Sequence, residues 1–207
     1  MKKAAPKLIG QGVRKPGGFL RRGLFLPLAA LAFALASCIA AFGNPPSQSP
    51  REYQVKAAFL YNFAKFIEWP SNVAADPNSP FVLGIMGDDP FGADLEQTIN
   101  GKAVNGRRLV IKRFKRGQPL DLCQILFISS SEQGHLTQIL DSLKGSSVLT
   151  VGEADHFAQS GGIINFTLKD DRVRFEINLG AADRARLKIS SKLLVLGEVV
   201  GNTAHGN

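Results

Sequence analysis

The chain is poor in the residues that build covalent staples and metal centres. Its 207 residues include two cysteines, Cys38 and Cys123, and three histidines, His135, His156 and His205. Two cysteines make no disulfide framework. No cysteine or histidine stands at a zinc-ligand spacing, which argues against a structural metal site. The signatures of nucleotide and acyl chemistry are missing as well: there is no G-x-G-x-x-G, no Walker pattern and no G-x-S-x-G elbow. Tryptophan occurs once, as Trp69. No internal period repeats, and no low-complexity tract interrupts residues 51–200.

Acid is missing from the first 37 positions, which hold seven of the 25 lysines and arginines. A short apolar run follows the basic stretch, LFLPLAALAFALA from Leu24 to Ala36. A spanning helix needs about 20 apolar residues, and this run is shorter and carries Pro27. Basic flank, short apolar core and small residues describe a secretory signal. Two processing sites compete. Ala34-Leu35-Ala36 is an A-x-A site that releases a soluble chain. Leu35-Ala36-Ser37-Cys38 is similar to a bacterial lipobox, in which Cys38 becomes the lipidated first residue. The chain thus divides into an export signal (1–37), a Pro/Ser-containing linker (38–50), a folded domain (51–200) and a tail (201–207).

The net charge of +8 belongs to the signal. Beyond residue 37, 18 basic residues face 17 acidic ones, a net charge of +1. Nothing in that balance supports nucleic-acid binding.

The domain reads as α/β, a mostly parallel sheet with helices on both faces and a C-terminal antiparallel hairpin. Its first element is a helix. Ser49 is a cap, Pro50 stands at N1 and Glu52 at N3, and Val55, Ala58, Phe59, Phe63, Phe66 and Ile67 form one apolar stripe. Pro70 ends it, leaving Trp69 at the helix end. Phe81–Met86, Leu109–Phe114, Gln124–Ser129 and Ser147–Val151 read as buried strands. Between them lie helices over Phe91–Ile99, capped by Asp89, over Gln133–Leu143, capped by Ser131, and a shorter one over Glu153–Ala158. Gly162–Leu168 and Val173–Asn178 flank a polar turn and form the hairpin. The segment from Leu179 to Val200 reads as a short helix, a kink, and a helix from about Ser191.

Candidate chemistry is sparse. Asp88 and Asp89 follow the first strand at its carboxyl end, where open α/β sheets bind ligands. A phosphoacceptor receiver needs a further Asp closing a later strand, and Gln124–Ser129 runs into Ser130 and Ser131 instead. Asp89 fits a helix cap. Ser129, Ser130, Ser131 and His135 supply hydroxyls and an imidazole without an ordered nucleophile, base and orienting acid. Lys112, Arg113, Lys115 and Arg116 cluster at a strand end as a solvated rim or an anion patch. Cys123 opens an apolar run and reads as a small buried hydrophobe. No catalytic set, metal or cofactor site emerges, so the alternatives are a binding protein and a small-ligand carrier using the loop near Asp88.

The order of motifs from Glu52 to Val200 resembles the YfiR-like family of periplasmic regulators. The matching blocks are Tyr53–Phe63 with Phe66-Ile67-Glu68-Trp69-Pro70, Met86–Gly92, Cys123–Ile128, Gly161–Phe166 and Arg174–Asn178. The resemblance implies a non-catalytic protein, soluble or anchored through Cys38 in the periplasm, that binds the sensor part of an inner-membrane diguanylate cyclase. It further implies that binding lowers cyclic di-GMP and restrains biofilm formation, that an OmpA-like outer-membrane lipoprotein sequesters the regulator, and that the domain can form a homodimer. By the same resemblance Glu68, Trp69 and Pro70 are the partner-binding segment, and Arg174 and Glu176 fall in a segment linked to small ligands. Replacing Trp69 is then expected to weaken partner binding more than folding. Disulfides found in some members do not transfer, because Cys123 lacks an evident mate.

Overall fold

The computed structural model describes residues 50–71, 73 and 78–201. The export signal, the lipobox at Cys38, the Ser49 cap and residues 202–207 lie outside them.

Helix α1 spans Pro50–Phe66. Its buried face is Tyr53, Ala57, Leu60, Phe63 and Ala64, at three- and four-residue steps, with Ile67 directly beyond the helix. Phe59 and Phe66 are half-buried, whereas Val55 is 40% exposed and Ala58 is also exposed. The stripe is thus rotated from the one expected, toward a face that also carries Glu52 and Lys56. The helix also ends sooner than Pro70 requires. Ile67–Glu68 forms a short strand, β1, antiparallel to Lys188–Ile189, β9. The Ser190 N–H donates to the Phe66 carbonyl at 3.0 Å, so a carbonyl orphaned at the helix end finds its donor in a distant segment. Trp69 therefore follows a strand, not a helix.

The main sheet has eight strands in the order β10-β8-β7-β6-β5-β2-β4-β3. Five central strands are parallel: β4 (Arg107–Phe114), β2 (Phe81–Met86), β5 (Ile125–Ile128), β6 (Leu149–Gly152) and β7 (Ile164–Lys169). Chain order through these five is the doubly wound 2-1-3-4-5 arrangement, whose topological switch lies between β2 and β5. β5 and β6 are buried along their whole length, as strands covered by helices on both faces must be. β3 (Ala103–Val104) pairs antiparallel with β4 at one margin. At the other, β8 (Arg172–Asn178) forms the expected hairpin with β7. The two turn residues, Asp170 and Asp171, have φ of 52° and 54°, the type I′ geometry that fits the sheet twist.

One face carries α1, α2 (Ala93–Ile99), α4 (Leu179–Arg184) and α5 (Ser191–Leu194) over Leu83, Ile85, Ile125, Phe127, Val151 and Phe175. The other carries α3 (Leu136–Ser142), whose Leu136 and Ile139 pack with Met86, Phe114, Leu126, Ile128 and Phe157. Gly162 has a packing reason: a Cβ there would lie 2.0 Å from the Phe157 ring. The expectation of helices on both faces is met.

Several local expectations are corrected. α2 begins at Ala93, because the Asp89 carboxylate accepts the Phe91 N–H (2.9 Å) in a local turn ahead of it. The helix expected over Gln133–Leu143 is a 3₁₀ turn, Ser130–His135, followed by α3. Its cap is Ser129, whose Oγ accepts the Ser131 N–H at 3.4 Å. Glu153–Ala158 forms turns and no helix. The helix from Ser191 lasts four residues, and the chain then adds β10 (Glu198–Val200), parallel to β8.

Candidate functional site

Three groups of residues were singled out by sequence, and the fold keeps them apart. Trp69 sits by the amino ends of β2 and β5. Its indole N–H donates to the Gln124 carbonyl at 3.2 Å, and its ring meets Phe81 edge-on at 5.1 Å. The Gln124 side chain in turn accepts the Val82 N–H at 2.8 Å. Trp69 and Pro70 are half-buried, while Glu68 is exposed. The arrangement holds an aromatic ring rigidly at the surface by one packed edge and one donor.

Asp88 lies at the topological switch. Its backbone N–H donates to Ser131 Oγ at 3.0 Å, and that hydroxyl lies 3.3 Å from Ser129 Oγ. The loop after β2 packs closely on the loop after β5: a Cβ on Gly87 would come within 2.6 Å of Ser131 Oγ and 2.8 Å of Glu132 Cγ. The basic cluster is partly neutralised within the molecule. Arg113 Nε donates to Asp89 at 2.8 Å, and its terminal nitrogen reaches Glu96 at 2.6 Å. The Arg113 hydrogen bond holds the Glu96 carboxyl below its ordinary range. Arg116 contacts His135 Nε2 at 3.0 Å and Glu132 at 3.5 Å.

Arg174 and Glu176 project from β8. Three strands (β5, β6 and β7) separate them from the β2 loop that carries Asp88, so the three candidate ligand residues do not form one site. Arg174 is exposed opposite Thr167. Glu176 stands opposite Asn165 and accepts its amide N–H at 3.2 Å.

Sequence reading missed a buried charge network. Lys56, 2% exposed, places Nζ 2.5 Å from Glu52 and 2.8 Å from Glu153. The Tyr53 hydroxyl donates to Glu153 at 3.3 Å, and burial followed by the Glu153 charge raises the phenol well above its ordinary range. The spacing of Glu52 and Lys56 is an i,i+4 pair legible in sequence. Glu153, 97 residues beyond Lys56, gave no signal. Cys123 is buried and free, donating to the Leu120 carbonyl at 3.1 Å. Burial pushes its thiol up to about 12. Cys38 lies outside the described residues.

Among the described residues, no group of three His, Cys, Asp or Glu side chains is placed to hold a metal ion. None of their helices is long and apolar enough to cross a membrane. Fold and site thus define a doubly wound α/β domain with charged features at several separate places. The chain belongs to the YfiR/HmsC-like family, whose pattern matches residues 53–198, from the first turn of α1 to the start of β10. That family carries a periplasmic regulatory role.

Proposed function

We propose that this protein is a non-catalytic periplasmic regulator that binds the sensor part of an inner-membrane diguanylate cyclase and lowers its cyclic di-GMP output. The observation that carries the reading is the family match across residues 53–198, which spans all but the margins of the described fold. The contact surface centres on Glu68, Trp69 and Pro70. Rigid, partly exposed aromatics are favoured as anchors because they bury much area and lose little entropy on binding. Leu122, 52% exposed and two residues from the Gln124 carbonyl that holds Trp69, adds apolar area to the surface. Capture by an OmpA-like outer-membrane lipoprotein, homodimer formation and a lipid on Cys38 are finer parts of the same reading.

Deleting the gene is expected to raise cellular cyclic di-GMP, and the wild-type gene restores it. A Glu68→Lys variant, altered at an exposed side chain opposite Lys188 in the β1–β9 pair, loses at most about 1 kcal/mol to like-charge repulsion, keeps its fold and restores it poorly. Unchanged nucleotide levels on deletion would remove the regulatory reading.

A further inference from the structure

The sheet contains a step at the carboxyl end of β6. That strand stops at Gly152, opposite Asn165, while β7 runs on to Lys169. At the step lies a cleft of about 410 Å³, walled by four consecutive β7 residues, Asn165 to Leu168. Side chains of a strand alternate between its faces, so consecutive residues line one cleft only where the strand's edge forms the wall. Glu52 and Lys56 reach the cleft from the α1 face. Glu176 alternates with Phe175 and Ile177, which pack on the α1 side, and so reaches it from the opposite face. The cleft therefore occupies the place β6 would fill if it were longer.

The walls ask for a cation. Glu52, Glu153, Asp155 and Glu176 line the cleft against two basic side chains among the described residues, His156 and Lys56, and Lys56 is already shared by Glu52 and Glu153. Asn165 is 4% exposed. Its Nδ2 donates to Glu176, and its Oδ1 has no hydrogen-bond partner among the described residues. The carboxylate fixes that amide orientation, because an ionised carboxylate only accepts. A buried acceptor without a donor is an uncommon and costly feature. On the other face of β7, Leu168 is 54% exposed.

We propose that this step receives an extended, cationic segment of a partner protein, which pairs with the free edge of β7 in line with β6. A Lys or Arg side chain of that segment meets Glu176 and Asn165 Oδ1, and a neighbouring apolar side chain covers Leu168. Main-chain pairing supplies affinity and alternate side chains supply specificity, as in other strand additions. The inference deepens the regulatory reading and rests on it for the partner being a protein.

The test titrates the protein with acetylated octapeptides that alternate Thr and Val and carry Arg at each position in turn, followed by amide NMR. The result expected is binding in at least one register, with shifts confined to Phe166–Lys169 and their neighbours. Citrulline in place of Arg, or Glu176→Gln in the protein, weakens that binding at least tenfold. n-Butylguanidinium alone binds at least tenfold more weakly than the peptide. Absence of peptide binding, or equal binding of the citrulline peptide, overturns the proposal. Equal binding of n-butylguanidinium overturns it in favour of a small-cation site. No cyclase is present in this assay, so it is judged apart from the deletion experiment. Peptide binding together with unchanged cyclic di-GMP on deletion would keep the cleft and remove the regulator.

Discussion

Trp69 joins two roles that one substitution can separate. Trp69→Ala removes a half-buried ring from the edge of Phe81 and a donor from the Gln124 carbonyl. A neutral hydrogen bond contributes about 1 kcal/mol and an aromatic pair about another 1 kcal/mol. Full removal of a core Trp costs about 3–5 kcal/mol, so the half-buried position places the loss at about 2–3 kcal/mol. For a domain of this size each 1 kcal/mol shifts the melting temperature by about 2–4 °C, which gives a fall of about 4–12 °C by calorimetry. Trp69→Phe keeps an aromatic edge and loses the donor, and a fall of about 2–4 °C follows from the hydrogen bond alone. The expectation drawn from sequence, that Trp69 matters for binding more than for folding, is thereby revised. Partner affinity must be compared between Trp69→Phe and Glu68→Lys, both of which stay folded. A Trp69→Ala melting temperature within 2 °C of wild type would refute the packing argument.

Four further outcomes follow from contacts elsewhere in the fold. Lys56→Met leaves Glu52 and Glu153 buried without their shared cation, and is expected to cost about 3–5 kcal/mol in urea denaturation. Cys123 should resist aromatic disulfide reagents at neutral pH until the protein unfolds, because burial holds its thiol in the neutral form. The same shift has a pH signature. Burial raises the folded thiol to about 12 against about 8.5 unfolded, so its stabilising contribution is intact below about pH 8.5 and is lost as pH rises toward 12. Cys123→Ala should flatten that slope in a melting series between pH 8 and 10. Gly162→Ala drives a methyl into the Phe157 ring and is expected to destabilise by about 1–3 kcal/mol, measured by the same denaturant titration.

What could be read from sequence follows the range of the interactions involved. Strands β2, β5 and β6 announced themselves as apolar runs because burial on both faces leaves no polar alternation. The β7–β8 hairpin was legible from its polar turn, although the positive φ of Asp170 and Asp171 was not. The end of α1 was misjudged because Pro70 was the only visible stop, whereas the observed stop is pairing with Lys188–Ile189, more than 100 residues away. β10 was missed for the same reason: three residues have no local signature, and their partner is β8. Val55 shares the apolar stripe but not the core, because periodicity fixes a stripe's spacing and leaves open which of two apolar phases faces the sheet. The position of Asp88 beyond the carboxyl end of β2 is legible locally, but the side chains of Ser131 and Glu132 that pack on Gly87 come from another loop. The cleft beside β7 depends on where β6 stops relative to its neighbour, which is a matter of register that no single segment encodes.

The central claim is tested most directly with purified components. The diguanylate cyclase is reconstituted in liposomes with its sensor part accessible, and cyclic di-GMP synthesis is measured while the protein is added. Synthesis is expected to fall saturably with wild-type protein, to fall less with Glu68→Lys, and not to change after heat denaturation. A synthesis rate independent of added wild-type protein, with the cyclase shown to be active, would contradict it.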